Sequence, residues 1–164
     1  MTSERFRVRN GNAGDLKAIL AVEREIAEAP HWMEYEYVAI LSNGEAEGLV
    51  RRRLFVAEAD GRLLGFGVGK VFGAGKDCVA ELESVVVTQA ARRIGVGRVL
   101  CAEVISWSKD QTAMALELEV RVGSSGAIAL YSSLGFGVVG RRPGYYHEPV
   151  EDALLMRLDL TEDE

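Results

Sequence analysis

Between Ser84 and Leu100 the chain reads SVVVTQAARRIGVGRVL. An apolar β-branched run (Val85, Val86, Val87) leads through a short polar turn to Arg92, Arg93, Ile94, Gly95, Val96, Gly97 and Arg98, where a long helical pattern opens. The first turn of a helix carries N–H groups without intrahelical partners and the positive end of the peptide dipole. Such an end binds anions. Glycine at 95 and 97 admits a bulky group against the main chain, and Arg92, Arg93 and Arg98 lie close to the same point. The chemistry implied is a pyrophosphate cradle. A Gly-x-Gly at a helix start also packs a helix tightly on a sheet, and this stretch alone leaves both readings open.

Further chemistry-bearing residues lie downstream. From Met114 the pattern has period two, with Met114, Leu116, Leu118 and Val120 facing one way and Glu117, Glu119 and Arg121 the other. By spacing alone Glu119 reads as part of a solvated strand face and Tyr131 as an amphipathic core residue. Trp32, after Pro30-His31, and the pair Tyr145-Tyr146 either line a groove or pack under loops.

The elements that must position these groups are legible in order. Phe6–Arg9 alternates as a strand, Asn10–Asp15 supplies turn and cap residues, and Leu16, Ile19, Leu20, Glu23 and Ile26 follow helical spacing from Asp15 to about Ala27. Pro30 to Trp32 breaks this helix. A second runs from about Met33 to Leu41, ending in Ser42-Asn43-Gly44. Leu54–Glu58, the turn Ala59-Asp60-Gly61, and Arg62–Phe72 make a hairpin, Asp-Gly between apolar runs being its strong signal. Gly65, Gly67 and Gly69 alternate in its second strand, implying close packing against that face. Cys78–Val87 is a strand, Ile94–Asp110 a helix and Met114–Arg121 a parallel strand, together a right-handed βαβ unit. Ser124–Leu134 is a short helix ended by Gly135. Gly137–Gly140 and Leu154–Leu160 are the last strands, before the acidic end Thr161-Glu162-Asp163-Glu164. The expected class is α/β (α+β): a mixed, mainly antiparallel sheet of about six to seven strands flanked by about four helices.

Composition bounds the answer further. With 164 residues, 48% of them hydrophobic and 27% charged, residues 1–164 fit one globular domain. The formal charge of −6 argues against nucleic acid as a partner and favours cationic ones. No stretch approaches the roughly 20 apolar residues of a membrane span, and the N-terminal residues have no secretory apolar region, so the expected location is cytoplasmic. Two cysteines, Cys78 and Cys101, and two histidines, His31 and His147, make neither a disulfide framework nor a metal site, so no metal is expected.

The stretch LESVVVTQAARRIGVGRVL with LEVRVGSSGAIALYSSLGF resembles the acetyl-coenzyme A motif and C-terminal half of the GNAT N-acetyltransferases, and within them the ribosomal-protein-alanine (RimI-like) branch. Arg92, Gly95 and Gly97 satisfy the family's cofactor pattern. Leu118–Arg121 and Ala129–Tyr131 match with their mutual spacing, and Arg141-Arg142, Tyr145-Tyr146 and Glu151–Ala153 resemble that branch's C-terminal segment. The likeness weakens before Leu54.

The resemblance implies acetyl-CoA as cosubstrate, with Val85, Val86 and Val87 beside the pantetheine arm and Arg93–Arg98 on the pyrophosphate. Ser124 stands where the branch usually has an asparagine against the cofactor. Glu119 takes the base position, acting through water, and Tyr131 the acid position near sulfur. Glu83 ranks second as base. A main-chain N–H of the Val85–Val87 strand would meet the oxyanion, which requires a local interruption of that strand's ladder. Trp32, Tyr145 and Tyr146 are candidates for an acceptor groove. An α-amino group of pKa near 8 is neutral in roughly one molecule in ten at pH 7, a lysine in about one in a few thousand. The implied activity is therefore Nα-acetylation of a protein or peptide N-terminus, alanine-like, on a small-subunit ribosomal or other protein. The alternatives are acetylation of a small-molecule amine and a non-catalytic acyl-CoA-binding module.

Overall fold

The structure, a computed structural model, describes residues 5–27, 29–42 and 48–161. The turn expected at Asn43-Gly44 and the tail Glu162–Glu164 lie outside these residues. Among the described residues seven strands form one sheet in the order β1-β2-β3-β4-β5-β7-β6. They are β1 (Arg7–Asn10), β2 (Val50–Ala59), β3 (Arg62–Phe72), β4 (Val79–Val87), β5 (Ala115–Arg121), β6 (Gly137–Tyr146) and β7 (Glu151–Asp159). Four α-helices accompany them: α1 (Leu16–Glu25), α2 (Glu34–Ser42), α3 (Val96–Asp110) and α4 (Ser125–Ser133).

The hairpin between β2 and β3 turns on Asp60 and Gly61, whose φ angles of 51° and 76° are what a two-residue turn matching strand twist demands. On β3 the expected close approach is made by α3. A Cβ at Gly69 would lie 2.8 Å from the Trp107 ring and 2.9 Å from Val104 Cγ1, whereas one at Gly67 would meet Leu100 Cβ at an ordinary 3.6 Å. The helix thus seats itself in a groove that glycine leaves in the sheet.

Alternation in the strands sorts the apolar side chains into two layers. Val71, Ala80, Leu82, Leu116, Leu118 and Met156 pack with Leu100, Val104 and Trp107 of α3. On the other face Val56, Phe66, Val68 and Val86 pack with Ile19 and Val22 of α1 and Tyr37 and Ile40 of α2. Within this second layer the Tyr37 hydroxyl donates to the buried Glu23 carboxylate, and His31 Nδ1 lies 3.1 Å from Glu23 Oε1. Burial first, and then the bond to Glu23, push the Tyr37 phenol well above its ordinary pKa.

Two irregularities in β4 open the sheet beside it. Its ladder with β3 skips a residue: Val68 pairs with Ser84 and Gly69 with Leu82, leaving Glu83 bulged out without a partner. Its parallel ladder with β5 is confined to Ala80↔Leu116 and Glu81↔Glu117. Beyond those pairs the two strands diverge.

Two expectations on strand extent need correction. The strand expected at Gly137–Gly140 runs on to Tyr146, its register shifting between Val138 and Gly140 and again between Arg142 and Tyr146. Pro143 and Gly144 read as breakers, but β6 is an edge strand, where a missing donor costs little and bulges absorb extra residues. Similarly β2 begins at Val50 rather than Leu54, because Arg51, Arg52 and Arg53 keep their ladder with β3 while hiding the apolar alternation.

The groove under α3 makes a contrast that equilibrium denaturation can read. Gly69→Ala is expected to lose about 1–3 kcal/mol through overpacking against Trp107, whereas Gly67→Ala should leave stability within about 0.5 kcal/mol.

Candidate active site

Where β4 and β5 part, a cavity of about 710 Å³ opens. Its walls include Val85, Val86 and Val87 from β4, Arg92, Arg93, Gly95, Val96, Gly97 and Arg98 from the approach to α3, then Ser124, and Leu130 and Tyr131 from α4. These segments, remote from one another in sequence, meet because α3 and α4 both pack on the first core layer. Of the residues singled out for the cradle only Ile94 turns away, packing against that layer. Four wall residues had no signal of their own in the sequence: Ile26 past the end of α1, Ala91, Gly126 and Ala127. They read as ordinary core or helix residues, and the fold alone brings them here.

The approach to α3 coils tightly. Gly95, the N-cap of α3, has a φ of 91°, and Arg93 a φ of 70°. A Cβ at Gly95 would touch nothing within 4 Å, so its requirement is conformational rather than steric. Left-handed residues within such a turn draw successive N–H groups into a concavity for anions. No side chain caps α3, and Ser124, the N-cap of α4, makes no capping bond either. Apolar walls, a basic rim and main-chain N–H groups at one end fit a nucleotide-bearing acyl thioester such as acetyl-CoA.

Tyr131 lines this cavity, its ring edge-on to Phe136 with centroids 5.9 Å apart. Burial, with smaller contributions from Cys101 and Tyr146, lifts its phenol far above the ordinary value. It stays protonated at any physiological pH and is a donor. The neighbouring Cys101 thiol is likewise pushed up to about 12 by burial.

Glu119 does not share that cavity. It lines a second one, of about 230 Å³, with Phe72, Glu81, Glu117, Val139 and Arg142. The carboxylate and the phenol therefore line two cavities rather than one. The reason is the alternation of β5: Leu118 and Val120 belong to the first core layer, which sends Glu117 and Glu119 to the other face. Tyr146 links the two sides electrostatically: burial first and then Glu119 raise its pKa, and it adds in turn, after burial and Cys101, to the rise of Tyr131. The Tyr146 ring is held under the Arg121 guanidinium at 4.2 Å and edge-on to Tyr145 at 5.0 Å.

The carboxylates differ in their partners. Glu119 Oε1 lies 3.6 Å from Arg142 Nη2, while Oε2 is buried without a hydrogen-bond partner. Hydrogen bonding to Glu119 is the main cause lifting the Tyr145 phenol. Glu117 takes a 3.5 Å contact from Arg157. Glu83 is engaged on both oxygens by Arg52, at 2.9 and 2.6 Å. Glu81, which sequence reasoning missed, is lifted above the ordinary carboxylate value first by burial, then by Glu83, with Glu119 adding and Lys70 opposing. Trp32 packs on Tyr37 at 5.5 Å and under Arg52 at 5.2 Å, and it lines neither cavity.

A sheet split at its parallel pair, with a basic glycine turn at one end of the split and a carboxylate and a phenol flanking it, defines an acyl-CoA N-acyltransferase. The sequence profile of the Acetyltransferase (GNAT) family matches residues 16–136. An N-alpha-acetyltransferase of Sulfurisphaera tokodaii is 32% identical over 164 aligned residues, covering 94% of this chain and 93% of that protein. The naa20 catalytic subunit of the N-terminal acetyltransferase B complex of Schizosaccharomyces pombe is 32% identical over 108 residues, 64% of this chain and 60% of that subunit. Among solved structures, the ribosomal-protein-S18-alanine N-acetyltransferase of Escherichia coli superposes with a TM-score of 0.76 at 25% identity, covering 97% of this chain and 96% of that one. The chain belongs to the GNAT family. It is an acetyl-CoA-dependent N-acetyltransferase of the RimI-like branch. Among the described residues no helix is long and apolar enough to cross a membrane.

The Glu81 carboxylate has a testable thermodynamic signature. A folded pKa raised above 4.5 costs nothing below the unfolded value and its full amount above the folded one. Glu81→Gln should therefore raise the melting temperature at about pH 7 and leave it unchanged at about pH 3.5, the gain emerging through the intervening range.

Proposed function

We propose that this enzyme acetylates the α-amino group of a protein N-terminus, alanine-like and of the kind found on small-subunit ribosomal proteins, in the cytoplasm, with residues 1–164 acting as one domain. The observation that carries this reading is the form of the second cavity. It is small, it holds the partly orphaned Glu119 carboxylate, and it is lined by Phe72 and Val139, which are 39% and 59% exposed. A pocket closed around a small metabolite would bury such side chains. An open apolar lip beside a carboxylate suits the end of a chain whose later residues continue outward. The S18-alanine enzyme and the N-alpha-acetyltransferase to which the chain is similar act on acceptors of this class by their names.

The roles divide as the two cavities do. Arg92, Arg93, Arg98 and the N–H groups at Gly95 to Arg98 hold the pyrophosphate, Ser124 adds a polar contact, and the main chain of Val85 to Val87 lies along the pantetheine arm. An ammonium loses two protons on becoming an amide, and one of them must end on the departing sulfur. Glu119 accepts from the amine, through water, and Tyr131 gives its proton to the thiolate and is then reprotonated. An α-amine needs only modest help from such a base, because a useful fraction is already neutral at physiological pH. Tyr145 and Tyr146 border the acceptor, the Tyr145 phenol being raised chiefly by its interaction with Glu119.

Coenzyme A release should accompany addition of alanine-initiated peptides, and not of the same peptides with a blocked N-terminus and a free lysine. Turnover with small amines alone would move the acceptor to the metabolite class; acetyl-CoA binding without turnover on any amine would make the chain a binding module. Tyr131→Phe is expected to lower kcat by about 10²–10⁴ with acetyl-CoA affinity little changed. Because burial raises the Tyr131 phenol, its ionisation should not cause an alkaline fall in the wild-type rate below about pH 10.

A further inference from the structure

We propose that the Arg52–Glu83 ion pair fixes the bulge of β4 and so aims the main-chain N–H groups just beyond it at the reacting carbonyl, making Arg52 and Glu83 positioning residues for acetyl transfer. The inference rests on the acetyl-transfer reading and extends it to residues outside both cavities.

Leu82 and Val85 both pack toward the first core layer, so the two residues between them, Glu83 and Ser84, turn together to the opposite face. That is what one extra residue in a strand does, and beyond it the main-chain groups that face the neighbouring strand and those that face away exchange places. On the side toward β5 there is no ladder after Glu81, so the N–H groups so turned point into the gap. Where the extra residue sits decides which amides those are. A bulge placed one residue earlier or later would turn a different residue's main-chain groups toward the gap.

The packing of Leu82 and Val85 on one layer confines the extra residue to the pair between them, and within that pair the Ser84 hydroxyl is buried without a partner, a cost rather than an anchor. The anchor comes from two strands away. Arg52 of β2 reaches across β3 and grips both Glu83 oxygens, at 2.9 and 2.6 Å. The pair is partly withdrawn from solvent, its side chains 27% and 11% exposed. A two-point grip fixes direction as well as distance. Arg52 itself is confined, since its guanidinium lies on the Trp32 ring, which leans on the wholly buried Tyr37. The bulge is thereby tied to the second core layer. The same engagement separates Glu83 from the role of base.

The test uses the full chain with acetyl-CoA and an alanine-initiated peptide, comparing wild type with Arg52→Met, Glu83→Gln, the double variant and Arg52→Lys. Each of Arg52→Met and Glu83→Gln should lower kcat by about tenfold to a hundredfold, the scale of a misplaced reacting group. KM for acetyl-CoA should stay within about twofold, because the cradle is untouched. The double variant should be no slower than the slower single one, as expected of a pair acting as a unit. Amide exchange at Ser84 to Val86 should quicken in all of them. Arg52→Lys keeps the charge without the two-point grip and should fall between wild type and Arg52→Met; it carries the test if Arg52→Met fails to fold. Rates within twofold of wild type in the single variants would overturn the proposal. So would an active Arg52→Met beside an inactive Glu83→Gln, which would make Glu83 the base, or strictly multiplicative losses in the double variant. A wild type that transfers acetyl to no amine overturns the underlying reading instead, and amide exchange then still reports whether the ion pair holds the bulge.

Discussion

The parallel ladder between β4 and β5 stops after Ala80–Glu81 and Leu116–Glu117, and the site is built on what those strands leave unpaired. A buried strand edge without hydrogen-bond partners is ordinarily costly. Here the edge of Val85 to Val87 becomes one wall of the larger cavity, where a ligand with its own amide groups can supply the missing partners. The rest of the sheet must then hold without that ladder. It does so through β7, which pairs along the whole of β5 on its other side, and through α3, which spans β3 and β4 from the glycine groove. The gap survives because neither strand depends on the other to stay in place.

Opening a sheet in this way leaves carboxylates of one face close together, and the structure separates them by their partners. Glu83 is wholly engaged by Arg52 and Glu117 is held at longer range by Arg157. Glu119 keeps one oxygen near Arg142 and the other without any partner, and Glu81 has its ionisation opposed by burial. A residue type read along a strand cannot show this. What distinguishes a base from a clamp is the cation within reach, and those cations come from β2, β6 and β7.

That is also where legibility ended. The cradle could be read from sequence because all its parts are local: a β-branched strand, a turn, and glycines opening a helix fall within one short stretch. The hairpin turn at Asp60-Gly61 and the glycine alternation in β3 were legible for the same reason. The length of β6 was not, because Pro143 and Gly144 break a strand locally and are absorbed only where the strand lies at an edge. The family pattern put Glu119 and Tyr131 near one another, but their division between two cavities comes from side-chain alternation in β5 combined with the packing of α4. Glu81 carried no local signal, and Ile26 only that of a helix's apolar face. Each matters only through what the fold sets beside it.

The two ends of the gap are opposite in charge, and this orders the reaction. Arg92, Arg93 and Arg98 line the larger cavity, and Glu81, Glu117 and Glu119, with Arg142 beside them, line the smaller; under the proposed function the first takes the diphosphate and the second the amine. An amine arrives protonated, so it is drawn to the carboxylates as a cation. There it meets a group able to remove the charge that drew it. Once neutral it is held less strongly by those carboxylates, and the gap offers it a carbonyl polarised by main-chain N–H groups. With the chain's formal charge at −6, the basic end is local rather than global, confined to the turn that leads into α3. Reversing the two ends would place a nucleotide beside three carboxylates and an ammonium beside three arginines, so the field of the site admits one direction of loading.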